Sequence, residues 1–232
     1  MVAPTVVLDL DGTLVDSAPD LVATLNIIFA RAGVPPVAYG AARNMVGGGA
    51  RAMIMRGLKA EGRTLDPIEI DRMLSDFIEH YAAHIADQSR PFPGLESALD
   101  TLAARGCRLA VCTNKLEWLA VRLLDALALS RRFAAICGGD TFGLQKPNPE
   151  ILRRTIARAG GDTGSTVMVG DSLTDVATAH AAGVPIVAVD YGYTETPAAE
   201  LGADRVIGAL SALPGAVFDL LRPRQAAPAA RQ

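Results

Sequence analysis

The sequence contains few cysteines and few aromatic residues. Its three cysteines, Cys107, Cys112 and Cys137, are an odd number without CxxC spacing, which disfavours a disulfide framework or a cysteine-based zinc site. Aromatic residues make up only 5% of the chain, and they form no row on which nucleic-acid bases could stack. We therefore expect buried, reduced thiols and aromatic side chains that serve packing.

The sequence also lacks a strong charge of either sign and a long apolar run. The chain has 22 basic and 25 acidic residues, a balance that offers no basic surface to nucleic acid or to an anionic membrane. No apolar stretch is long enough to span a bilayer, and no signal-peptide pattern stands at the start. We therefore expect a cytoplasmic protein with no nucleic-acid or membrane partner, either a monomer or a homodimer.

The predicted elements divide the chain into two domains. Strand patterns at 5–10, 108–112, 133–137, 166–170, 185–189 and 205–207 alternate with helices. This alternation predicts an α/β fold, a Rossmann-like doubly wound parallel sheet with helices on both faces. The segment 17–87 has helical patterns and no convincing strand. We therefore expect an all-α helical bundle, residues 17–87, inserted into a core of residues 1–16 and 88–232.

Helix signals within the insert predict four helices. The first runs from Ser17 to about residue 31, with Ser17 as the N-terminal cap and Asp20 three residues later. Further helices are expected near 38–46, 50–61 and 67–87. A last helix near 210–221 closes the core, and the segment 222–228 has the composition of a disordered tail.

The most informative motif follows the first strand. In Asp9-Leu10-Asp11-Gly12-Thr13, two carboxylates two residues apart on an extended chain point to the same side. Gly12 lets the backbone turn away, at the carboxyl end of a strand, where open α/β sheets keep their active sites. One acid can attack while its neighbour moves a proton. The alternative interpretation is a strand that ends in a polar turn.

Three further groups of polar residues follow other predicted strands. Thr113 and Asn114 could hold a phosphoryl oxygen, or simply cap the next helix. Lys146, flanked by Pro147 in a proline-rich loop, could neutralise a carboxylate and a phosphoryl group, or be a solvated surface lysine. Asp171 and Asp175 could hold Mg²⁺, or only favour the start of a helix.

Together, these four motifs in this order closely resemble the haloacid dehalogenase superfamily. The resemblance extends from Val6 to about residue 220, and the helical insert corresponds to a C1-type cap. Within the superfamily the chain is most similar to the phosphoglycolate phosphatase family, in the segments 9–21, 92–94, 111–115 and 138–140. One departure is Gly48, which stands where that family usually has asparagine.

The resemblance implies a magnesium-dependent phosphatase acting on a small phosphate monoester, 2-phosphoglycolate, through an aspartyl phosphate. It implies that Asp9 is the nucleophile and Asp11 the general acid and base. Mg²⁺ would be held by the Asp9 carboxylate, the Asp11 main-chain carbonyl and Asp171, with Asp175 in a supporting position. The phosphoryl group would be bound by Thr113, Asn114 and Lys146.

The inserted domain offers candidate substrate contacts. Gly47 and Gly48 would let the main chain approach a small ligand closely. Arg51 could bind a substrate carboxylate in a bidentate manner, although a solvated helix arginine is the simpler interpretation.

Several other functions stay open at this point. The same four motifs suit a sugar phosphatase, a mutase similar to beta-phosphoglucomutase, a pyrophosphatase or a 5′-nucleotidase. A dehalogenase would not need the second acid, Asp11, and a phosphonatase would need a cap amine, for which Lys59 is a poor candidate. A non-catalytic binding protein on the same scaffold is disfavoured because all the expected catalytic side chains are present.

Overall fold

A six-stranded parallel sheet forms the centre of the protein in the computed structural model, which describes residues 3–194 and 196–221. The described residues form eight strands, of which β2 and β3 lie outside this sheet. In chain order they are β1 (Thr5–Leu8), β2 (Val15–Asp16), β3 (Arg90–Pro91), β4 (Arg108–Cys112), β5 (Ala135–Cys137), β6 (Thr166–Gly170), β7 (Ile186–Val189) and β8 (Arg205–Ile207). The large sheet has the order β5-β4-β1-β6-β7-β8, and all of its pairs are parallel. The predicted parallel α/β sheet is therefore confirmed.

Helices cover both faces of this sheet. They are α5 (Leu95–Ala104), α6 (Glu117–Ala126), α7 (Pro149–Arg158), α8 (Leu173–Ala182) and α9 (Leu213–Leu221). Alternate residues of each strand point to opposite faces, so Val6 and Leu8 pack in one core cluster with α5, α6 and α9, while Val7 packs in another with α7 and α8. For this reason the strands read as nearly continuous apolar runs.

The predicted element boundaries are close to the observed ones, with some differences. Strands 108–112, 166–170 and 205–207 are confirmed residue for residue, whereas β1 ends at Leu8 and β5 begins at Ala135. The last helix begins at Leu213, after a short 3₁₀ turn at Leu210–Ala212. The predicted disordered segment 222–228 lies outside the described residues.

Four helices lie between β2 and β3. They are α1 (Ala18–Arg31), α2 (Tyr39–Arg43), α3 (Ala50–Ala60) and α4 (Pro67–Ala83), and we call them the helical insert. Helix α2 is shorter than the predicted 38–46, and α4 ends four residues before the predicted position at residue 87. The capping box of α4, in which Asp66 and Glu69 satisfy each other's main-chain N–H groups, fixes its start.

A short antiparallel ribbon joins the insert to the core. Strands β2 and β3 pair Val15 with Pro91 and Asp16 with Arg90, a feature too short for sequence periodicity to reveal. Asp20 strengthens the junction, because its carboxylate accepts hydrogen bonds from the main chain of Gln88 and Ser89. The two chain crossings are thus held side by side.

The predicted N-cap position of α1 is confirmed, but the expected capping bond is absent. Ser17 occupies the N-cap position, but its side chain makes no capping hydrogen bond. Instead, the Ser17 hydroxyl donates to Asp11 Oδ1 at 2.5 Å, and Asp20 holds the ribbon described above. Both polar side chains are therefore used in tertiary contacts, which outweigh the local capping preference.

None of the helices formed by residues 3–194 and 196–221 combines the length and apolar character needed to cross a membrane.

Candidate active site

Polar residues from four strand ends meet at the carboxyl edge of the sheet. Lys146 Nζ, from the loop after β5, lies 2.8 Å from Asp9 Oδ1 and 2.6 Å from Asp175 Oδ1. Asp9 follows β1, and Asp175 lies in the first turn of α8, just after β6. All three side chains are buried. Residues far apart in the chain are therefore brought together, and Lys146 is not a solvated surface lysine.

Three buried carboxylates form a candidate metal centre. Asp9, Asp171 and Asp175 each have an oxygen within 4.8 Å of the others. Burial raises the pKa of Asp9 to about 6, with Lys146 opposing the shift and Asp175 adding to it. Burial raises the pKa of Asp171 to about 8, and the carboxylates of Asp175 and Asp9 add to that shift. One lysine therefore does not balance the cluster, which has the hard oxygen ligands and excess negative charge that suit Mg²⁺.

Asp9 Oδ1 is itself a buried atom in need of a partner. It contacts Lys146 as an ion pair, but no hydrogen bond of proper geometry reaches it from the described residues. A buried carboxylate oxygen in this state is costly. A cation or a phosphoryl ligand bound next to Asp9 Oδ1 would therefore supply the partner that this oxygen lacks.

Asp171 is held in place by the loop that follows β7. Its Oδ2 accepts a hydrogen bond from the main-chain N–H of Tyr193 at 2.6 Å. The Tyr193 hydroxyl in turn donates to Asp16 at 2.6 Å and accepts from the main chain of Ala18, at the start of the helical insert. The candidate metal centre is thus tied to the junction between core and insert.

Asp11 has different neighbours from Asp9. Its Oδ1 accepts from Ser17, and its Oδ2 lies 3.0 Å from Lys115 Nζ. Lys115 also donates to the Tyr81 hydroxyl at 3.1 Å, and its ammonium lies 4.5 Å from the centre of the Tyr81 ring. The two acids of the motif are therefore placed in separate environments, a condition for separate roles.

The residues after β4 do not cap the following helix. The N-cap position of α6 is Leu116 and has no side-chain capping bond. Thr113 Oγ1 accepts from the main-chain N–H of Lys115 at 3.2 Å. The Asn114 amide pairs with the main chain of Lys146, accepting at 2.8 Å and donating at 3.1 Å. Asn114 thus fixes the lysine loop, and phosphate binding by its side chain stays a prediction.

A cavity of about 390 Å³ lies between these strand ends and the helical insert. Its wall includes Asp9, Asp11 and Thr113 from the core and Gly47, Gly48 and Arg51 from the insert. Most of the insert's contribution is apolar, from Leu21, Val46, Met53, Leu74, Phe77 and Ile78. The predicted glycines and arginine therefore do line the space that adjoins the two acids.

Arg51 is engaged with a partner inside the insert. Its guanidinium forms an ion pair with Asp71, and the Arg51 side chain is 48% exposed. The pair connects α3 to α4 near the rim of the cavity. Contact between Arg51 and a substrate stays a prediction.

Sequence reasoning missed three residues of the site. Lys115, Tyr81 and Tyr193 are buried beside the predicted acids. Lys115 directly follows Thr113 and Asn114 at a strand end, so the same position signal could have identified it. Tyr193 also follows a strand of the sheet, β7, whereas Tyr81 lies on a helix of the insert and carries no comparable signal.

A doubly wound α/β sheet with an acidic, lysine-containing cleft at its carboxyl edge defines the class of protein, a Rossmann-like enzyme. The model of the haloacid dehalogenase-like hydrolase family matches residues 6–189. The chain therefore belongs to this family.

Close relatives are known by sequence. A phosphoglycolate phosphatase from Agrobacterium fabrum is 47% identical over 227 residues, which cover 98% of this chain and 97% of the relative. Another from Caulobacter vibrioides is 48% identical, over 94% of this chain and 92% of the relative. With the family membership, these relatives establish that the chain is a phosphoric monoester hydrolase, a phosphatase.

Solved structures share the fold. A predicted phosphoglycolate phosphatase from Haemophilus somnus superposes with a TM-score of 0.86 at 27% identity, covering 92% of this chain and 97% of that one. CbbY from Rhodobacter sphaeroides, in complex with phosphate, gives a TM-score of 0.78 at 26% identity, with 94% and 100% covered. The whole arrangement of sheet and insert therefore recurs in these proteins.

Proposed function

We propose that this phosphatase hydrolyses 2-phosphoglycolate with Mg²⁺, through an aspartyl phosphate, an acyl phosphate formed on Asp9. The observation that carries the proposal is the buried contact of Lys146 with Asp9 and Asp175, since Asp9 also lines the cavity. A fixed ammonium beside a carboxylate lowers the repulsion that an anionic nucleophile meets from an anionic phosphate. The names of the sequence relatives supply the substrate.

Asp9 is the proposed nucleophile. In the first step, an Asp9 carboxylate oxygen bonds to phosphorus while the bond from phosphorus to the ester oxygen breaks. Asp11 gives its proton to the leaving alkoxide. In the second step, Asp11 takes a proton from water, whose oxygen bonds to phosphorus and displaces Asp9. The products are glycolate and inorganic phosphate, and both acids return to their starting states.

The phosphoryl oxygens need positive charge and hydrogen-bond donors. Lys146 has three N–H donors; it donates one to Asp175 and forms an ion pair with Asp9. A remaining Lys146 donor and the Thr113 hydroxyl are the proposed phosphoryl ligands, while Asn114 bonds to the main chain of the loop that carries Lys146. Asp175 keeps Lys146 in place. It also forms a capping box with Ser172, the N-cap residue of α8.

The carboxylates of Asp9 and Asp171, with the Asp11 main-chain carbonyl, are the proposed magnesium ligands. When bound there, Mg²⁺ supplies positive charge that offsets the charge of the phosphoryl oxygens. The buried, under-compensated carboxylates described above support this assignment.

The helical insert, residues 17–87 by our boundaries, is the proposed cap of a core formed by residues 1–16 and 88–232. It closes one side of the cavity with apolar side chains, which would exclude bulk water while the ester is cleaved. A cytoplasmic location and a monomeric or homodimeric state belong to the same proposal.

A substrate screen tests the proposal. The protein should hydrolyse 2-phosphoglycolate with Mg²⁺ with a higher kcat/KM than sugar phosphates, nucleoside monophosphates or pyrophosphate. Release of one inorganic phosphate per substrate, without transfer to a second sugar, separates hydrolysis from mutase activity. Preference for another ester would reject the substrate assignment, and a lack of hydrolysis of every ester would reject the mechanism.

A further inference from the structure

Lys115 is a buried cation that the proposed reaction leaves without a function. Its side chain is only 6% exposed, yet it lines the cavity beside Asp11. Its ammonium forms an ion pair with the Asp11 carboxylate at 3.0 Å. A buried charge is expensive to maintain. Its position at the cavity wall therefore points to a ligand.

The Lys115 ammonium has one donor to spare. An ammonium carries three N–H donors, and the described residues provide two acceptors, Asp11 Oδ2 at 3.0 Å and the Tyr81 hydroxyl at 3.1 Å. The wall around it is formed largely by apolar side chains, including Leu21, Phe77 and Leu119. An anionic group that enters this apolar space next to Asp11 would find a positively charged donor there.

We propose that Lys115 binds the carboxylate of the substrate and thereby selects phosphoglycolate over phosphate esters without an acidic group. This inference rests on the proposed function, because it takes Asp11 as the acid that protonates the leaving oxygen. In phosphoglycolate the carboxylate carbon is two covalent bonds from that oxygen. A leaving oxygen in contact with Asp11 therefore places the carboxylate within reach of an ammonium that itself contacts Asp11.

Arg51 is the competing cation in the same cavity. It is about half exposed and already paired with Asp71, whereas Lys115 is buried and next to the proton donor. A carboxylate interaction gains strength when water is excluded. The comparison favours Lys115, and the experiment below tests both residues.

Tyr81 acts as a positioning residue for Lys115. It belongs to α4 of the helical insert, is 1% exposed, and packs its ring and hydroxyl against the ammonium. Since Lys115 belongs to the core, this contact makes the position of the ammonium depend on how the insert packs on the core.

The test compares two substrates that differ only where Lys115 would act. 2-Phosphoglycolate and ethyl phosphate have the same ester oxygen and methylene group, but ethyl phosphate carries a methyl group in place of the carboxylate. The quantity measured is the ratio of kcat/KM for the two substrates, with Mg²⁺, in the full-length protein. Effects that act through Asp11 on every substrate cancel in this ratio.

Lys115→Met should lower the ratio by about 10- to 100-fold, the equivalent of one hydrogen bond to a charged group. Lys115→Arg should restore part of it, and Tyr81→Phe should lower it less, mainly through a higher KM for 2-phosphoglycolate. Lys59→Met removes an exposed lysine of α3 and should leave the ratio as in the wild type. Measurable hydrolysis of ethyl phosphate shows that a variant is folded; if Lys115→Met does not fold, Lys115→Arg and Tyr81→Phe carry the test.

An unchanged ratio in Lys115→Met would overturn the proposal, as would a fall confined to Arg51→Met. The wild-type protein reports separately on the proposed function. If the wild type hydrolyses other esters but shows no preference for 2-phosphoglycolate, the substrate assignment fails and the carboxylate site fails with it. If the wild type prefers 2-phosphoglycolate and Lys115→Met retains that preference, only the assignment of Lys115 is wrong.

Discussion

Gly12 leaves open the space into which the Asp171 carboxylate extends. A Cβ atom at position 12 would lie 2.3 Å from Asp171 Oδ2, far inside van der Waals contact. Gly12 also has φ +84°, a conformation that side chains other than glycine rarely adopt. The sharp turn after Asp9, the proposed nucleophile, and the placement of the candidate metal ligand Asp171 therefore depend on the same glycine.

Gly12→Ala should consequently abolish most phosphatase activity. The new methyl group must displace Asp171, and we expect kcat/KM to fall at least about 100-fold, because small displacements at a reacting centre have effects of this size. The measurement is steady-state hydrolysis of p-nitrophenyl phosphate with Mg²⁺.

Gly33→Ala is the matched control. Gly33 has φ +65°, but a Cβ atom at this position would have no neighbour within 4 Å. The substitution therefore introduces backbone strain of about 1 kcal/mol without a clash, and activity should stay near the wild-type level. Equal activity losses in the two variants would show that strain, and not the contact with Asp171, causes the defect.

Asp9→Asn should eliminate turnover, because an amide cannot attack phosphorus as a carboxylate does. Asp11→Asn should also reduce kcat, by about 100- to 10,000-fold, the usual contribution of general acid–base catalysis. The two variants differ in one observable. Asp11→Asn should still transfer a phosphoryl group to Asp9 from an ester with a good leaving group, which intact-mass spectrometry detects, and Asp9→Asn should not. Phosphorylation of Asp9→Asn at the same site would contradict the assignment.

The sequence predicts the sheet and the position of the acids at its carboxyl edge, because both depend on local patterns. Apolar strands followed by Asp9, Thr113 or Asp171 are visible without knowledge of the fold, and parallel strands bring their carboxyl ends to one edge. The end of β1 is less predictable, because Asp9 still donates its main-chain N–H to Val169 at 2.9 Å after the assigned strand has stopped.

Local sequence patterns do not predict the contacts between the insert and the core. Ser17 and Asp20 look like a helix cap, but they bond to Asp11 and to the crossing chain at Ser89. The proximity of Tyr81 to Lys115 depends on how α4 packs over the sheet. Local propensity cannot specify partners that tertiary packing decides.

Magnesium should stabilise the folded protein through Asp171. A ligand that binds only the native state raises the free energy of unfolding, by about 2.7 kcal/mol when its concentration is 100 times its Kd. Wild-type protein freed of metal with EDTA should therefore gain several degrees in Tm when excess Mg²⁺ is added. Asp171→Asn should gain little. Asp162→Asn, an exposed carboxylate that caps a 3₁₀ turn elsewhere, serves as the control and should respond as the wild type does. An equal response of Asp171→Asn would place the ion elsewhere.

The buried thiols should be unreactive at neutral pH. Burial raises the pKa of Cys112 to about 12 and also raises the pKa values of Cys107 and Cys137. The reactive thiolate becomes abundant only as the pH approaches the pKa, so at pH 8 Cys112 has almost no thiolate and burial reduces the thiolate of Cys107 and Cys137. Native protein should not be alkylated by iodoacetamide over an hour at pH 8, whereas protein unfolded in guanidinium should take up three groups, one for each cysteine. Rapid labelling of the native protein would show an accessible thiol.

Lys146→Met should destabilise the protein as well as inactivate it. Lys146 is the cation shared by Asp9 and Asp175, and removing one partner of a buried ion pair costs about 3–5 kcal/mol, since the remaining charges are left uncompensated. Urea unfolding without metal should show this loss, and Lys59→Met, at an exposed position, should change stability by less than about 0.5 kcal/mol. Saturating Mg²⁺ should recover part of the stability of Lys146→Met, because Asp9 is also a proposed magnesium ligand. It should not recover the activity, because the ammonium proposed to bind the phosphoryl group is gone. Full activity in Lys146→Met would remove the lysine from the mechanism.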